Sequence, residues 1–258
     1  MVEAGEMSEM FTDCQAVFFD LSGVLYEGED VFPGALGAVQ AALDQDKTVR
    51  FVTNTATRSA DDILKKLQRL GFPAEADMLF TAPMAARAYV AERNLRPLCI
   101  VHPAIEGCFD GLATEDNPDC VILGDAREGL HYESLNRAFR LCMEGAPLIG
   151  IGRNKYFSSD GQLMLDAGAF IHALEWAAGV EAVIMGKPGQ AFFEQIVAST
   201  EFEAAQCLMI GDDVQGDVVG AVNAGLQGCL VRTGKYRPED EAELPQEAKV
   251  IDSIADLS

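Results

Sequence analysis

The 258 residues are 49% hydrophobic and 23% charged, enough apolar material for one large domain or two smaller ones. Lys and Arg number 19 against 41 Asp and Glu, a net charge of −22. A field of that sign repels nucleic acid and anionic membranes, and it repels phosphorylated ligands unless a local cation offsets it.

The first thirteen residues, MVEAGEMSEMFTD, are acidic and lack the basic and apolar regions of a signal peptide, so they read as a frayed tail. A buried-strand pattern follows at Ala16–Asp20 and ends in a carboxylate, with Ser22 and Gly23 just beyond. A second strand pattern spans 49–53. Residues 59–70 then read as a helix: Ser59 can cap it, Asp62 stands at capping-box spacing, apolar residues recur at 63, 64, 67 and 70, and Gly71 stops it. Strand patterns continue at 99–101, 120–123, 148–151 and 182–185, with helical patterns over 132–143 and 169–178, the latter closed by Gly179. Strands at 207–210 and 229–231 come next. The acidic stretch 238–248, PEDEAELPQEA, reads as a solvated loop. Strands alternating with helices imply βαβ units and a mostly parallel sheet, whose ligands bind beyond the carboxyl ends of the strands.

Seven cysteines stand at 14, 99, 108, 120, 142, 207 and 229, without a C-x-x-C pair and mostly inside apolar runs. They read as buried small hydrophobes in a reducing compartment, not as a disulfide or zinc framework. The most apolar long stretch, 169–186, contains His172, Glu175 and Glu181, so no segment qualifies as a membrane span. A cytoplasmic protein is expected.

Four segments end strand patterns with polar residues: Asp20-Leu21-Ser22-Gly23, Thr53-Asn54-Thr55, Gly186-Lys187-Pro188, and Gly211-Asp212-Asp213 followed by Gly216-Asp217. Each alone is also what an ordinary strand-to-loop turn contains. Their order and intervals together are similar to those of the haloacid dehalogenase superfamily of phosphatases, and the resemblance runs from about residue 15 to the C-terminus. It is carried by DLSGVL, RFVTNT, NPDCVILGDA, LNRAFRLCMEGAPLI, VIMGKP, MIGDD and VRTGKYRP. The long insert between the second and third segments resembles the class II cap of the NagD-like branch. The resemblance implies a doubly wound, Rossmann-like α/β core of residues 1–82 and 184–258, with an inserted α/β cap at 83–183.

It also implies roles. Asp20 would be the nucleophile, with Asp20, Asp212 and the Ser22 backbone carbonyl as Mg²⁺ ligands. Thr53 and the Asn54 N–H would bind the phosphoryl group, and Lys187 would pair with nucleophile and phosphate. Asp213 and Asp217 would support the metal, its waters or Lys187. The donor types suit the chemistry: Mg²⁺ takes oxygen ligands, and phosphoryl transfer needs charge neutralisation and in-line placement.

Ser22 departs from the pattern, because family members usually carry a second aspartate there as proton donor. A general acid contributes about 10²- to 10⁴-fold, roughly 3 to 5 kcal/mol of barrier, which an alcohol cannot supply near neutral pH. The expected substrates are therefore small phosphorylated compounds with good leaving groups: pyrophosphate, P–N or aryl phosphates. A pyridoxal phosphate or general metabolite phosphatase is the alternative within the class. A module that binds phosphorylated ligands without turnover is the alternative outside it. Arg153, Asn154 and Tyr156 are candidate substrate contacts in the cap or else solvated loop residues. His102, His131 and His172 read as surface or satisfied core histidines, and Gly150-Ile151-Gly152-Arg153 lacks the third glycine of a dinucleotide site. Relatives pair through their caps, so a homodimer is expected on the resemblance.

Overall fold

The computed structural model describes residues 11–112, 117–159 and 161–258; the first ten residues of the expected N-terminal tail lie outside them. The chain begins with β1 (Ala16–Asp20), β2 (Tyr26–Glu27), β3 (Asp30–Val31), α1 (Ala35–Asp44), β4 (Thr48–Thr53), α2 (Ala60–Arg69), β5 (Leu79–Thr81) and α3 (Ala82–Glu92). It continues through β6 (Pro97–Ile100), β7 (Cys120–Leu123), α4 (Tyr132–Met143), β8 (Leu148–Gly150), β9 (Tyr156–Ser159), β10 (Gln162–Leu165), α5 (Ala167–Ala178) and β11 (Val183–Ile184). Then come α6 (Gln190–Ala198), β12 (Cys207–Gly211), α7 (Gly220–Asn223), β13 (Gln227–Val231) and β14 (Lys249–Ile251). The architecture is α/β and doubly wound, and each of the eight strand patterns in the sequence coincides with a strand.

Contacts divide the chain into two compact units: residues up to Thr53 with Asp61–Phe80 and Ile196–Ser258, and Asn54–Ala60 with Thr81–Gln195. The first is built on a six-stranded sheet of order β14-β13-β12-β1-β4-β5. β1 is parallel to both β4 and β12 and is buried along its whole length, which is why AVFFD reads as an unbroken apolar run ending in one acid. Val17, Phe19, Phe51, Leu208 and Ile210 form its core with Ala35, Ala38, Val39 and Ala42 of α1, which recur at helical spacing. Each fully buried side chain of this size contributes about 1.5–3 kcal/mol. α2 ends at Gly71, whose φ of +95° suits glycine. The Gly71 N–H donates to the Gln68 carbonyl and the Phe72 N–H to that of Leu67, closing the helix as the sequence predicts.

The second unit holds a four-stranded parallel sheet, β11-β8-β7-β6, and the antiparallel hairpin β9–β10. Val121, Leu123, Leu148, Ala138, Ile171 and Leu174 form its core under α4 and α5. Because β11 pairs with β8, the contacts group 184–195 with this unit, whereas the sequence division starts the second part of the core at 184. The helical pattern at 169–178 begins two residues earlier, at Ala167, because the Asp166 carboxylate accepts from the Ala167 N–H at 2.6 Å.

Residues 238–248 are more structured than a solvated loop. Pro238–Glu243 form a 3₁₀ turn, and Glu241 pairs with Arg232 at 2.7 Å and accepts from the Tyr236 hydroxyl at 2.7 Å. No helix of the described residues is long and apolar enough to cross a membrane. The seven cysteines are free thiols, and burial pushes Cys14 and Cys207 up to about 11 and Cys99, Cys120 and Cys229 up to about 12. Such thiols are protonated and poorly nucleophilic near neutral pH.

Candidate active site

Three neighbouring parallel strands of the first unit deliver polar residues to one edge. Asp20 closes β1 and Thr53 closes β4, while Asp212 immediately follows β12. The strand order reverses direction around β1, the place where open α/β sheets collect ligands.

Carboxylate oxygens of Asp20, Asp212 and Asp217 all lie within 4.8 Å of one another. Asp212 and Asp217 are 2% and 1% exposed, and Asp20 is 8% exposed. Three buried carboxylates this close repel one another strongly unless a cation joins them. An all-oxygen, all-anionic donor set fits a hard divalent ion such as Mg²⁺.

Backbone geometry fixes the cluster. The Lys235 N–H donates to Asp212 Oδ2 at 2.7 Å. Gly23 and Gly234, at φ +89° and +61°, lie so close to Asp212 that a Cβ on either would collide with its carboxylate. The Thr233 hydroxyl donates to the Gly23 carbonyl and ties these two loops together. Asp217 sits in a single π-helical turn, Val214–Val219, where its Oδ2 accepts from the Asp213 N–H at 3.1 Å. A side chain on Gly211 would collide with Asp217.

Asp213 faces differently. Its Oδ1 caps the π turn through the Gly216 N–H at 2.7 Å, and its Oδ2 pairs with Lys235 Nζ at 3.2 Å. Burial pulls the Lys235 ammonium down, but Asp213, Asp212 and Asp217 outweigh it, so its pKa is raised and it keeps its charge. Lys235, Arg237, Asp212, Asp213 and Gln215 line a cavity of about 340 Å³. The sequence does not single out Lys235 as a site residue; its only signal is the TGK turn after β13.

Ser22 is exposed in the loop after β1 and bridges to Tyr26. Within the second unit, Asn54 and Lys187 meet: Asn54 Nδ2 donates to the Lys187 carbonyl at 2.9 Å, and the Lys187 N–H donates to Asn54 Oδ1 at 2.8 Å. The sequence reading gives Asn54 only a backbone role, and this side-chain pairing is additional. Lys187 is 8% exposed. Of the cap candidates, Arg153 pairs with Glu175 at 2.6 Å, the Asn154 carbonyl accepts from the Gly168 N–H, and Tyr156 is exposed on β9. His131 Nδ1 caps α4 through the Ser134 N–H, His102 Nδ1 accepts from the Ala104 N–H, and His172 lies exposed beside Glu175.

Residues 17–113 match the family model of haloacid dehalogenase-like hydrolases, and residues 184–257 match a second, HAD-hydrolase-like model. The haloacid dehalogenase-like hydrolase domain-containing protein 2 of Bos taurus is 42% identical over 230 residues, covering 89% of this chain and 88% of the relative. The phospholysine phosphohistidine inorganic pyrophosphate phosphatase of Rattus norvegicus is 39% identical over 241 residues, covering 91% and 88%. The 4-nitrophenylphosphatase of Thermotoga maritima superposes with a TM-score of 0.83 at 25% identity, over 96% of this chain and 97% of that one. NagD from E. coli K-12 shares the fold at a TM-score of 0.85 and 19% identity, over 95% and 98%. The chain belongs to the haloacid dehalogenase-like hydrolases and is a class IIA, NagD-like phosphatase among them.

Proposed function

We propose that this phosphatase is Mg²⁺-dependent and hydrolyses small phosphorylated compounds through an aspartyl-phosphate on Asp20. The observation that carries the reading is the buried carboxylate triplet at the carboxyl edge of the sheet. Asp20, Asp212 and Asp217, with the Ser22 carbonyl, would hold the ion. When bound it neutralises charge on the phosphoryl oxygens.

The chain's own groups do the rest. An Asp20 oxygen attacks phosphorus in line, the bond to the leaving group breaks, and water then hydrolyses the acyl phosphate to release phosphate and regenerate the carboxylate. The Thr53 hydroxyl and the Asn54 N–H donate to phosphoryl oxygens, and the Lys187 ammonium pairs with the phosphate. Asp213 holds the π turn that carries Asp217. With serine at position 22, the leaving group departs without a carboxylic acid, which favours pyrophosphate, P–N and aryl phosphates over alkyl phosphates. The named substrates of the rat relative have such leaving groups.

The cap role of 83–183, residence in a reducing cytoplasm and homodimerisation through the second unit belong to the same proposal. Of the eight large apolar side chains exposed among the described residues, Leu36 lies in the first unit; the others, including Tyr132, Leu163, Leu165 and Trp176, lie in the second.

The test is p-nitrophenyl phosphate turnover with and without Mg²⁺, alongside pyrophosphate, phospholysine, phosphohistidine and pyridoxal phosphate. Turnover should require the metal and disappear in Asp20→Asn. Phosphate release equal in wild type and Asp20→Asn would leave a binding module as the better reading. Preference for pyridoxal phosphate over pyrophosphate would remove the leaving-group argument.

A further inference from the structure

We propose that Asn54 is a positioning residue whose side chain fixes the main chain of Lys187; this rests on the reading of Lys187 as the phosphate-pairing cation. A primary amide carries a donor and an acceptor side by side, as a peptide group does. Asn54 uses both, Nδ2 on the Lys187 carbonyl at 2.9 Å and Oδ1 on the Lys187 N–H at 2.8 Å. The pairing copies one rung of a β-ladder between residues 133 apart in sequence.

The flanking backbone shows why such a clamp matters. Met185, fully buried, donates its N–H to the Gly150 carbonyl at 2.8 Å. The Gly189 N–H donates to the Gly186 carbonyl at 2.8 Å, closing a turn around Lys187. A Cβ at Gly189 would collide with the Ile184 carbonyl, and one at Gly186 would press on Gly152 at 3.2 Å and on Asn54 Oδ1 at 3.3 Å. The turn is therefore pinned before and after Lys187, and Asn54 pins it at the lysine itself. The ammonium is left only its side-chain torsions to search. Preorganisation of this kind matters most for a charge meant to meet a spreading anionic transition state.

No other residue of this size offers the pair of bonds. Aspartate keeps the acceptor and sets a second oxygen against the Lys187 carbonyl, while alanine leaves both backbone groups without the amide.

The experiment has two readouts on Asn54→Ala, Asn54→Asp, Lys187→Ala and the double variant Asn54→Ala/Lys187→Ala. Thermal unfolding first identifies variants that retain the fold. Hydrogen–deuterium exchange should show the Lys187 amide exchanging at least about tenfold faster in Asn54→Ala, with α6 unchanged. With p-nitrophenyl phosphate and Mg²⁺, kcat/KM should fall about 10- to 100-fold in Asn54→Ala and Asn54→Asp. The double variant should be no worse than Lys187→Ala alone, because a residue acting through the lysine has nothing left to position. Multiplicative losses in the double variant, or unchanged kcat/KM in a folded Asn54→Ala, would overturn the proposal. If the wild type releases no phosphate, the phosphatase mechanism falls first; a protected Lys187 amide would then mark a purely structural clamp, and the positioning role is refuted.

Discussion

The two units of the chain spend their unfavourable groups in opposite ways. The first buries like charges: Asp20, Asp212 and Asp217 converge beyond the sheet, held by backbone amides and close-packed glycines. The second exposes apolar surface: Leu163 and Leu165 on the hairpin are 72% and 65% exposed, and Trp176 and Tyr132 are each 83% exposed. Neither arrangement stabilises an isolated unit, since buried carboxylates pay desolvation and mutual repulsion while exposed apolar side chains forgo burial. Groups kept at a cost to stability mark places where something else is bound. On the proposed reading, a small hard cation and a phosphoryl group would offset the cost in the first unit, and apolar contact would offset it in the second.

The first half of the comparison can be broken at a glycine. Gly234 and Gly28 both hold positive φ, +61° and +58°, but a Cβ on Gly234 would strike Asp212 and the Gly23 backbone, whereas a Cβ on Gly28 meets nothing within 4 Å. Both alanine variants pay the left-handed strain of about 1–2 kcal/mol. Only Gly234→Ala should also displace the Asp212 carboxylate, and if that carboxylate holds the ion as proposed, Mg²⁺ activation should weaken about 10- to 100-fold, the usual effect of disturbing a ligand's supports. Mg²⁺ titration of p-nitrophenyl phosphate turnover reads the difference. Equal titration midpoints for the two variants would mean that the tight packing around Asp212 does not serve the metal.

A smaller effect sharpens the same half. Ser22→Asp places a carboxylic acid two residues beyond Asp20, at a position that is itself exposed between buried neighbours. Turnover of an alkyl phosphate should rise relative to p-nitrophenyl phosphate by on the order of tenfold, the low end of what a general acid contributes. An unchanged alkyl-to-aryl ratio would sink the link between Ser22 and leaving-group choice.

What could be read before folding follows the same division. Unbroken apolar runs such as AVFF and CLMI announced the central strands, and the acids that follow them announced two members of the carboxylate cluster, because a buried parallel strand tolerates polarity only at its end. α1 and α3 escaped because ALGAVQAALD and APMAARAYVAE are alanine-rich, with too little contrast between faces for a periodic signal. The hairpin β9–β10 escaped because its Leu and Met face solvent, so hydrophobicity there carried no message about burial. Lys235 and the Asn54 amide escaped for a different reason. One meets Asp213 across 22 residues and the other meets Lys187 across 133, distances over which local pattern is silent.

The second half of the comparison can be tested with almost no cost to fold or turnover. Leu163→Glu combined with Leu165→Glu replaces two exposed apolar side chains on a two-stranded hairpin with charges. At positions this open, substitution changes stability by only about 0.5 kcal/mol, so the unfolding midpoint should hardly move. p-Nitrophenyl phosphate turnover should stay within about twofold of wild type. Self-association should respond differently. Two copies of a chain with net charge −22 repel at long range, so they meet most readily through apolar surface, and the exposed Leu163 and Leu165 of the hairpin supply some. Added glutamates place like charges at that contact and leave an exposed strand edge guarded, as monomeric proteins guard theirs. Sedimentation equilibrium should therefore show a wild-type dimer and a monomeric double variant at the same concentration. A wild type that sediments as a monomer would leave the apolar surface of the second unit serving a partner other than a second copy of the chain. A variant that remains dimeric would move the contact away from the hairpin, toward the face that carries Trp176.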